Sequence, residues 1–347
     1  MNRVVPGCTR LANQMYFYII IMSNSNKNIN LDFSGQEKEK PALSSWKPLE
    51  IPPDITAKGF YIGTSGYYFD DWVGIFNPPK PRRSQKPETI AGREDFDRLR
   101  FYQKYFRFVE INASFYMEPV QQTYIDIERR SLVNSMFTVK AHQSVSHTKE
   151  WDAQKSKEMM ERHIEAVAPL IETGRFYSLL IQLEDHNAHS LKKLDYLLAV
   201  CEPAVRRKID VHIEFRHRTW HREAVLQKLK DFGIGICNTD IPPFPHVFPL
   251  KAYATTPKGY LRYSGRNIDN WYPKAKAKTG KERIAQRNSR YDYRYSDDEI
   301  KKNVTDQLKL GQKTNIVVVA YNNHYKGGAV KDATTNIKML KEKLGVR

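Results

Sequence analysis

Residues 211–220, written VHIEFRHRTW, alternate apolar and charged side chains. In an extended strand successive side chains face opposite ways, so Val211, Ile213 and Phe215 share one face while His212, Glu214 and Arg216 share the other. The stretch from Trp220 to Phe232 reads as a helix, which makes a strand-loop-helix unit rather than a hairpin. In a closed parallel sheet the second face of such a strand is the lumen. Charge gathered on its last residues then sits at the mouth, where barrel enzymes carry their sites.

The pattern repeats along the chain. Strands are expected at 60–64, 108–113, 137–142, 177–184, 233–240, 259–264 and 315–322, each apolar on one face and ending in polar residues. Helices are expected over 95–105, where Phe96, Leu99, Tyr102 and Phe106 fall at helical spacing, and over 121–130, 156–171, 190–201 and the stretch ending at Leu344. The proline-rich segment 242–249 bars a helix directly after the sixth strand. Eight strands separated by helices, at about 250 residues plus insertions, predict an α/β fold: a TIM (β/α)8-type barrel with a disordered N-terminal leader and long loop insertions. The polar, aperiodic residues 1–57 are assigned to the leader and 58–347 to a single barrel domain.

Within the leader, 15–22 (MYFYIIIM) is too short to span a bilayer, which needs roughly 20 residues, and lacks a convincing cleavage site after it. Met22 reads as an alternative start. No membrane association is expected. Cys8, Cys201 and Cys237 are scattered, without CxxC or metal-ligand spacing, as in a reduced, cytoplasmic protein. Lys+Arg number 56 against 39 Asp+Glu, a net charge of +17. That balance suggests an anionic partner, either a small molecule or nucleic acid, or else a solvated basic exterior.

Alternation places Glu110, Asn112, Lys140, His142, Gln182, Glu184, Glu214, Arg216, Asn238, Asp240, Arg262, Ser264 and Asn322 on the inner face at the strand ends. These groups either satisfy one another as a structural plug or form a site; buried ion pairs stabilise weakly compared with apolar packing, which favours the site. Glu110, Glu214 and Asp240 are candidate acids and bases, and Lys140 a base, a Schiff-base amine or a permanently paired ammonium. Arg216 and Arg262 suit bidentate binding of a carboxylate or phosphate. Gly265, Gly327 and Gly328 follow the seventh and eighth strands, where barrels build phosphate sites from loop amides. A divalent metal on these carboxylates with His142 or His147 has no HxxEH, HExxH or DxD spacing behind it, and no cofactor motif is present.

Residues 271–302 form a basic insertion, with Lys274, Lys276, Lys278, Lys281, Arg283, Arg287 and Arg290 before Tyr291, Tyr293 and Tyr295. Such a run can track a phosphate backbone, or it can be a solvated lid with its tyrosines on the barrel rim. Trp220, Phe115 and Tyr116 are candidate platforms for substrate or ordinary rim packing.

The segments GTSGYYFDDWVGIF (63–76), YFRFVEINASFY (105–116), FTVKAHQSVSH (137–147), LLIQLE (179–184), IEFRHRTW (213–220), YLRYSGRN (260–267), RYDYRYSDDEI (290–300) and YNNHYKGGAVKDA (321–333), together with Asp240, resemble the YecE-like proteins of domain-of-unknown-function family 72. The resemblance runs in order over nearly the whole chain from about residue 60 and implies a βα barrel. It also implies that the family's polar positions fall on Glu110, Asn112, Lys140, His147, Glu214, Arg216, Asp240, Arg262 and Asn322. The chain departs from it at Ser264-Gly265, where the family has His-Gly, and at Arg218, where it tends to have Pro. The resulting expectation is an enzyme acting on a phosphate- or carboxylate-bearing substrate by acid-base chemistry or hydrolysis. Glu110, Lys140, Glu214 and Asp240 would be catalytic. Asn112, Tyr116, His142, His147, Gln182, Arg216, Trp220, Arg262, Ser264, Gly265, Asn322 and Asn323 would bind substrate. A nucleic-acid-binding protein and a non-catalytic scaffold are the alternatives.

Overall fold

Short runs rich in β-branched and aromatic residues form eight strands: Phe60–Ser65 (β1), Phe108–Ile111 (β2), Met136–Lys140 (β3), Phe176–Gln182 (β4), Val211–Glu214 (β5), Gly235–Asp240 (β6), Lys258–Tyr263 (β7) and Ile316–Tyr321 (β8). In the computed structural model, which describes residues 46–79, 96–272 and 275–346, all eight are parallel and close in sequence order. β1 pairs on one side with β2, Gly63 opposite Phe108, and on the other with β8, Ile62 opposite Val319. Closure leaves no sheet edge unpaired, and the alternating helices make this a TIM barrel. The apolar segment 15–22 and Cys8 lie outside the described residues.

Outward-facing Val109, Val139, Leu179, Ile181, Ile213, Ile236, Leu261 and Val319 join the helices' apolar faces in one buried shell. In the helix Leu191–Arg206, for example, Leu194, Leu197, Leu198 and Cys201 recur at helical spacing and are buried, and the Ser190 hydroxyl caps its start. No helix interrupts the chain between β6 and β7, as the prolines there require. Part of the stretch assigned to the leader packs on the barrel: Ile55 is buried in the shell and Glu50 pairs with Lys338. Cys201 and Cys237 are free, buried thiols. Among the described residues no helix is long and apolar enough to cross a membrane.

The lumen is filled rather than open. Its lower part holds Phe108, Tyr177, Leu180, Cys237, Tyr260, Val318 and Ala320, with His212 stacked on Tyr177 at 5.5 Å. Gly235 belongs to the same inner row, since a Cβ there would stand 2.3 Å from the His212 ring. The inward residues of β6 are therefore Gly235, Cys237 and Thr239, which corrects the expectation that Asn238 and Asp240 enter the lumen. Asn238 instead points outward, where its amide holds the Tyr253 backbone at both N–H and C=O.

Candidate functional site

Moving toward the C-terminal ends of the strands, the inner rows turn from aromatic to charged. Phe108 is followed by Glu110, His212 by Glu214 and Arg216, and Tyr260 by Arg262 and Ser264. Arg262, 1% exposed, is the hub. Its Nε and Nη2 donate to the two oxygens of Glu110 at 2.7 and 2.8 Å, and its Nη1 donates to Gln182 at 3.1 Å and to Glu214. Glu110 also accepts from the hydroxyls of Ser65 and Tyr260, both at 2.5 Å. Glu214 takes its remaining bond from Arg216 Nε at 2.7 Å.

Burial pushes the Glu110 and Glu214 carboxyls up, but the guanidinium groups more than offset it. Glu110 ends below the usual carboxylate range, held there mainly by Arg262, and Glu214 falls to about 2 through Arg262 and Arg216. Both are therefore ionised at neutral pH and fully occupied. Glu110, an expected acid or base, serves as the floor of the site, because four donors leave its oxygens no room for a reacting proton.

Two cationic groups above this floor are not occupied in the same way. Arg216 is 5% exposed, and its Nη2 is buried without an acceptor among the described residues. Half-buried Lys140 lays its ammonium 4.0 Å from the centre of the Phe115 ring and makes no hydrogen bond or ion pair among the described residues. Burial lowers its pKa to about 7; the Arg262 and Arg216 cations act the same way, against the pull of Glu110 and Glu214. His147 packs edge-on against the same Phe115 ring, 4.9 Å between centroids, and its Nε2 lies 3.7 Å from Glu184. Burial and the Lys140 and Arg216 charges lower the imidazole to about 4, so it is neutral at pH 7.

The basic insertion covers this mouth. Trp271 is buried with the Arg216 guanidinium 6.0 Å from its ring, and Tyr272 reaches across to donate to Asp185 at 2.6 Å. The helix Gly280–Arg290 starts with a Thr279/Glu282 capping box, and Asp297–Gly311 starts with a Ser296/Glu299 box. Between them Tyr291 contacts His324, Tyr293 donates to Glu299, and buried Tyr295 donates to Asp240 at 2.7 Å. The tyrosines thus face the barrel.

Asp240 anchors this roof rather than taking part in the mouth. It points outward from β6, where Arg266 binds both its oxygens at 3.0–3.1 Å and also donates to Glu299. Asp332, with Arg294 at 3.1 Å and the Asn323 amide at 2.6 Å, forms a second anchor. Asp240→Asn is expected to leave the barrel folded while speeding tryptic cleavage at Lys276, Lys278 and Lys281 several-fold. Time-resolved digestion with intact-mass readout checks this, since local opening governs cleavage of a folded chain.

Of the other expected residues, Gln182 and Asn322 join the inner set, Asn322 donating to the buried Ser264 hydroxyl at 3.2 Å. Asn112 donates to Ser65, and Tyr116 stands exposed at the rim, edge-on to Phe115. Four do not reach the mouth. β3 ends at Lys140, so His142 leaves the strand and caps the helix Gln143–Ser146 through its ring nitrogen. Trp220 stacks on outward-facing Phe215 at 4.6 Å and donates to the Asn187 carbonyl, behind the sheet. Asn323, one residue past Asn322, faces the roof anchor. Gly265, with φ +86°, serves close packing: a Cβ there would meet Tyr293 Cβ at 2.7 Å.

Sequence reasoning left out Ser65, Tyr260 and Trp271. The first two were legible, because strand parity places Ser65 opposite Glu110 and Tyr260 below Arg262. Trp271 lies in the insertion, where no periodicity marks it. Among the described residues no cluster of three or more His, Cys, Asp or Glu is arranged to hold a metal ion.

Comparison with known proteins places this architecture among relatives. The profile of the family described as "Protein of unknown function DUF72" matches residues 61–346. The UPF0759 protein YunF of Bacillus subtilis (strain 168) is 26% identical over 288 residues, 81% of this chain and 94% of that protein. The crystal structure of a DUF72 family protein of Thermotoga maritima MSB8 superposes with a TM-score of 0.65 at 30% identity, covering 82% of this chain and 99% of that one. A DUF72 family protein of Enterococcus faecalis V583 superposes with a TM-score of 0.64 at 21% identity, over 83% and 96%, a likeness of fold. The chain belongs to the DUF72 family, proteins of unknown function built on a TIM barrel.

Proposed function

We propose that this protein is an enzyme acting on a small phosphate- or carboxylate-bearing substrate at the C-terminal mouth of the barrel, by acid-base chemistry in which Lys140 exchanges the proton. The observation that carries the reading is the uneven distribution of partners. Arg262 satisfies Glu110 and shares Glu214, while Arg216 Nη2 and Lys140 Nζ find no acceptor among the described residues. A buried guanidinium nitrogen without a partner costs about 1–3 kcal/mol or more, and an anion from outside offsets that cost. Donors from separate strands suit the separate oxygens of one carboxylate or phosphate.

Thermal unfolding in the presence of inorganic phosphate, a triose phosphate and a dicarboxylate tests the reading. At about 100 times its Kd, a binding anion is expected to add roughly 2.7 kcal/mol of stability, a shift of several degrees. Arg216→Ala should remove most of that increment. No stabilisation by any of the three, or an increment indifferent to the substitution, defeats the reading.

A second reading, nucleic-acid binding, draws on the exposed cationic face around the helix Gly280–Arg290. Base stacking has little support, because Tyr295 is buried and the Tyr293 hydroxyl is engaged by Glu299. Any contact would be electrostatic, expected as weak anisotropy-detected binding of single-stranded oligonucleotides that collapses by about 0.2 M salt. Absence of binding at low salt removes it.

A further inference from the structure

Anion binding alone does not account for the state of Lys140. A group kept only to attract an anion does best as a permanently charged ammonium, and Arg216 already supplies such a charge beside it. Lys140 is instead packed between aromatic and cationic surroundings, with Phe115 beneath its nitrogen and two guanidinium groups close enough to disfavour its charge. Both nearby carboxylates are taken up by arginine hydrogen bonds, so neither holds the amine as a salt bridge. Burial and the two guanidinium charges, working against the Phe115 face that favours the ammonium, leave a nitrogen lone pair available at neutral pH. An amine desolvated beside another cation is the arrangement by which lysine becomes a nucleophile.

We propose that Lys140 is a covalent catalyst, its amine condensing with the carbonyl of an aldehyde, ketone or 2-oxo acid whose anionic group is held by Arg216. This rests on the anion-binding reading above and names the substrate class. The Lys140 lone pair adds to the carbonyl carbon, and the carbonyl π pair moves to oxygen, which takes up a proton. The nitrogen loses a proton, the oxygen gains a second one and departs as water, and a C=N bond remains. Overall, amine, carbonyl and one proton give a protonated imine and water. The imine is cationic, so the Phe115 face that accepts the ammonium also stabilises the product. His147, neutral and against the same ring, can relay protons from solvent to the departing oxygen, one ring nitrogen accepting as the other donates.

The test is reductive trapping on the full chain. Wild-type protein is incubated at pH 7.5 with pyruvate, glyoxylate or dihydroxyacetone phosphate, then treated with sodium borohydride, and intact mass and peptide mapping are read. The expected result is a single reduced adduct on Lys140 with at least one probe, formed far faster than on any surface lysine and absent from Lys140→Arg. No adduct with any probe, or labelling spread evenly over surface lysines, overturns the proposal. If the anions still stabilise the wild type, only the imine step falls; if neither stabilisation nor adduct is seen, the anion-binding reading falls with it.

Discussion

Arg262→Met is expected to destabilise the protein by about 3–5 kcal/mol, the usual cost of removing one partner from a buried ion cluster. The substitution strips Glu110 of two charge-assisted hydrogen bonds and Glu214 of one, leaving both carboxylates 0% exposed. Glu110 then keeps only the hydroxyls of Ser65 and Tyr260 and must either stay charged in the lumen or take up a proton. Arg262→Lys is expected to cost less, since it retains the charge but cannot form the fork that binds both Glu110 oxygens. Arg262→Met combined with Glu110→Leu should recover much of the loss, because the carboxylate that loses most bonds is then gone and Arg216 still holds Glu214. Urea unfolding followed by tryptophan fluorescence and circular dichroism measures all three, coincident transitions licensing the comparison. A cost below about 1 kcal/mol for the first variant would mean that the cluster is not what holds the upper lumen together.

The same cluster explains which parts of the site were legible in the chain. Glu110, Glu214, Arg216 and Arg262 were found by parity, because each stands on a strand whose other face is plainly apolar: Val109 and Ile111, Ile213 and Phe215, Leu261 and Tyr263. β6 offers no such contrast. Ile236 shares a face with Asn238 and Asp240, and the opposite face carries only Gly235, Cys237 and Thr239, so polarity pointed the wrong way. The deciding fact is steric and non-local, the His212 ring filling the space above Gly235. His142 fails differently, since parity was continued one step past the end of β3, where a helix cap competes for the ring. Trp220 and the insertion tyrosines could each have faced solvent or barrel, and only the packing of the connections chooses.

The roof ties this geometry to access. Trp271, Tyr272 and Tyr291 span from the end of β7 to the loops after β4 and β8, held through Asp185, Asp240 and Asp332. Arg216, buried beside Trp271, is thereby kept from bulk water, and in such a setting each charge interaction is stronger than at an open surface. Half-buried Lys140 sits close enough to that guanidinium to feel its charge, and it is the one of the two that can shed its own.

Lys140→Met should accordingly stabilise the protein near neutral pH, by about 3 kcal/mol. The ammonium faces Arg216 and Arg262 as like charges, Glu110 and Glu214 as opposite charges already engaged elsewhere, the neutral imidazole of His147 and the Phe115 ring. In the unfolded chain the amine titrates near its ordinary 10.5, and in the folded protein near about 7. Below pH 7 it is charged in both states, and the wild type bears the full penalty. Between about 7 and 10.5 the unfolded state binds more protons than the folded one, so wild-type stability rises with pH relative to the variant. Above that range both states are neutral and the penalty is gone. Urea midpoints of the two proteins, compared from pH 6 to pH 10, should therefore converge as pH increases, with the variant ahead at the acid end. Parallel pH profiles, or a variant that is less stable at pH 6, would show Lys140 to be an ordinary paired ammonium and would remove the basis for treating its amine as reactive.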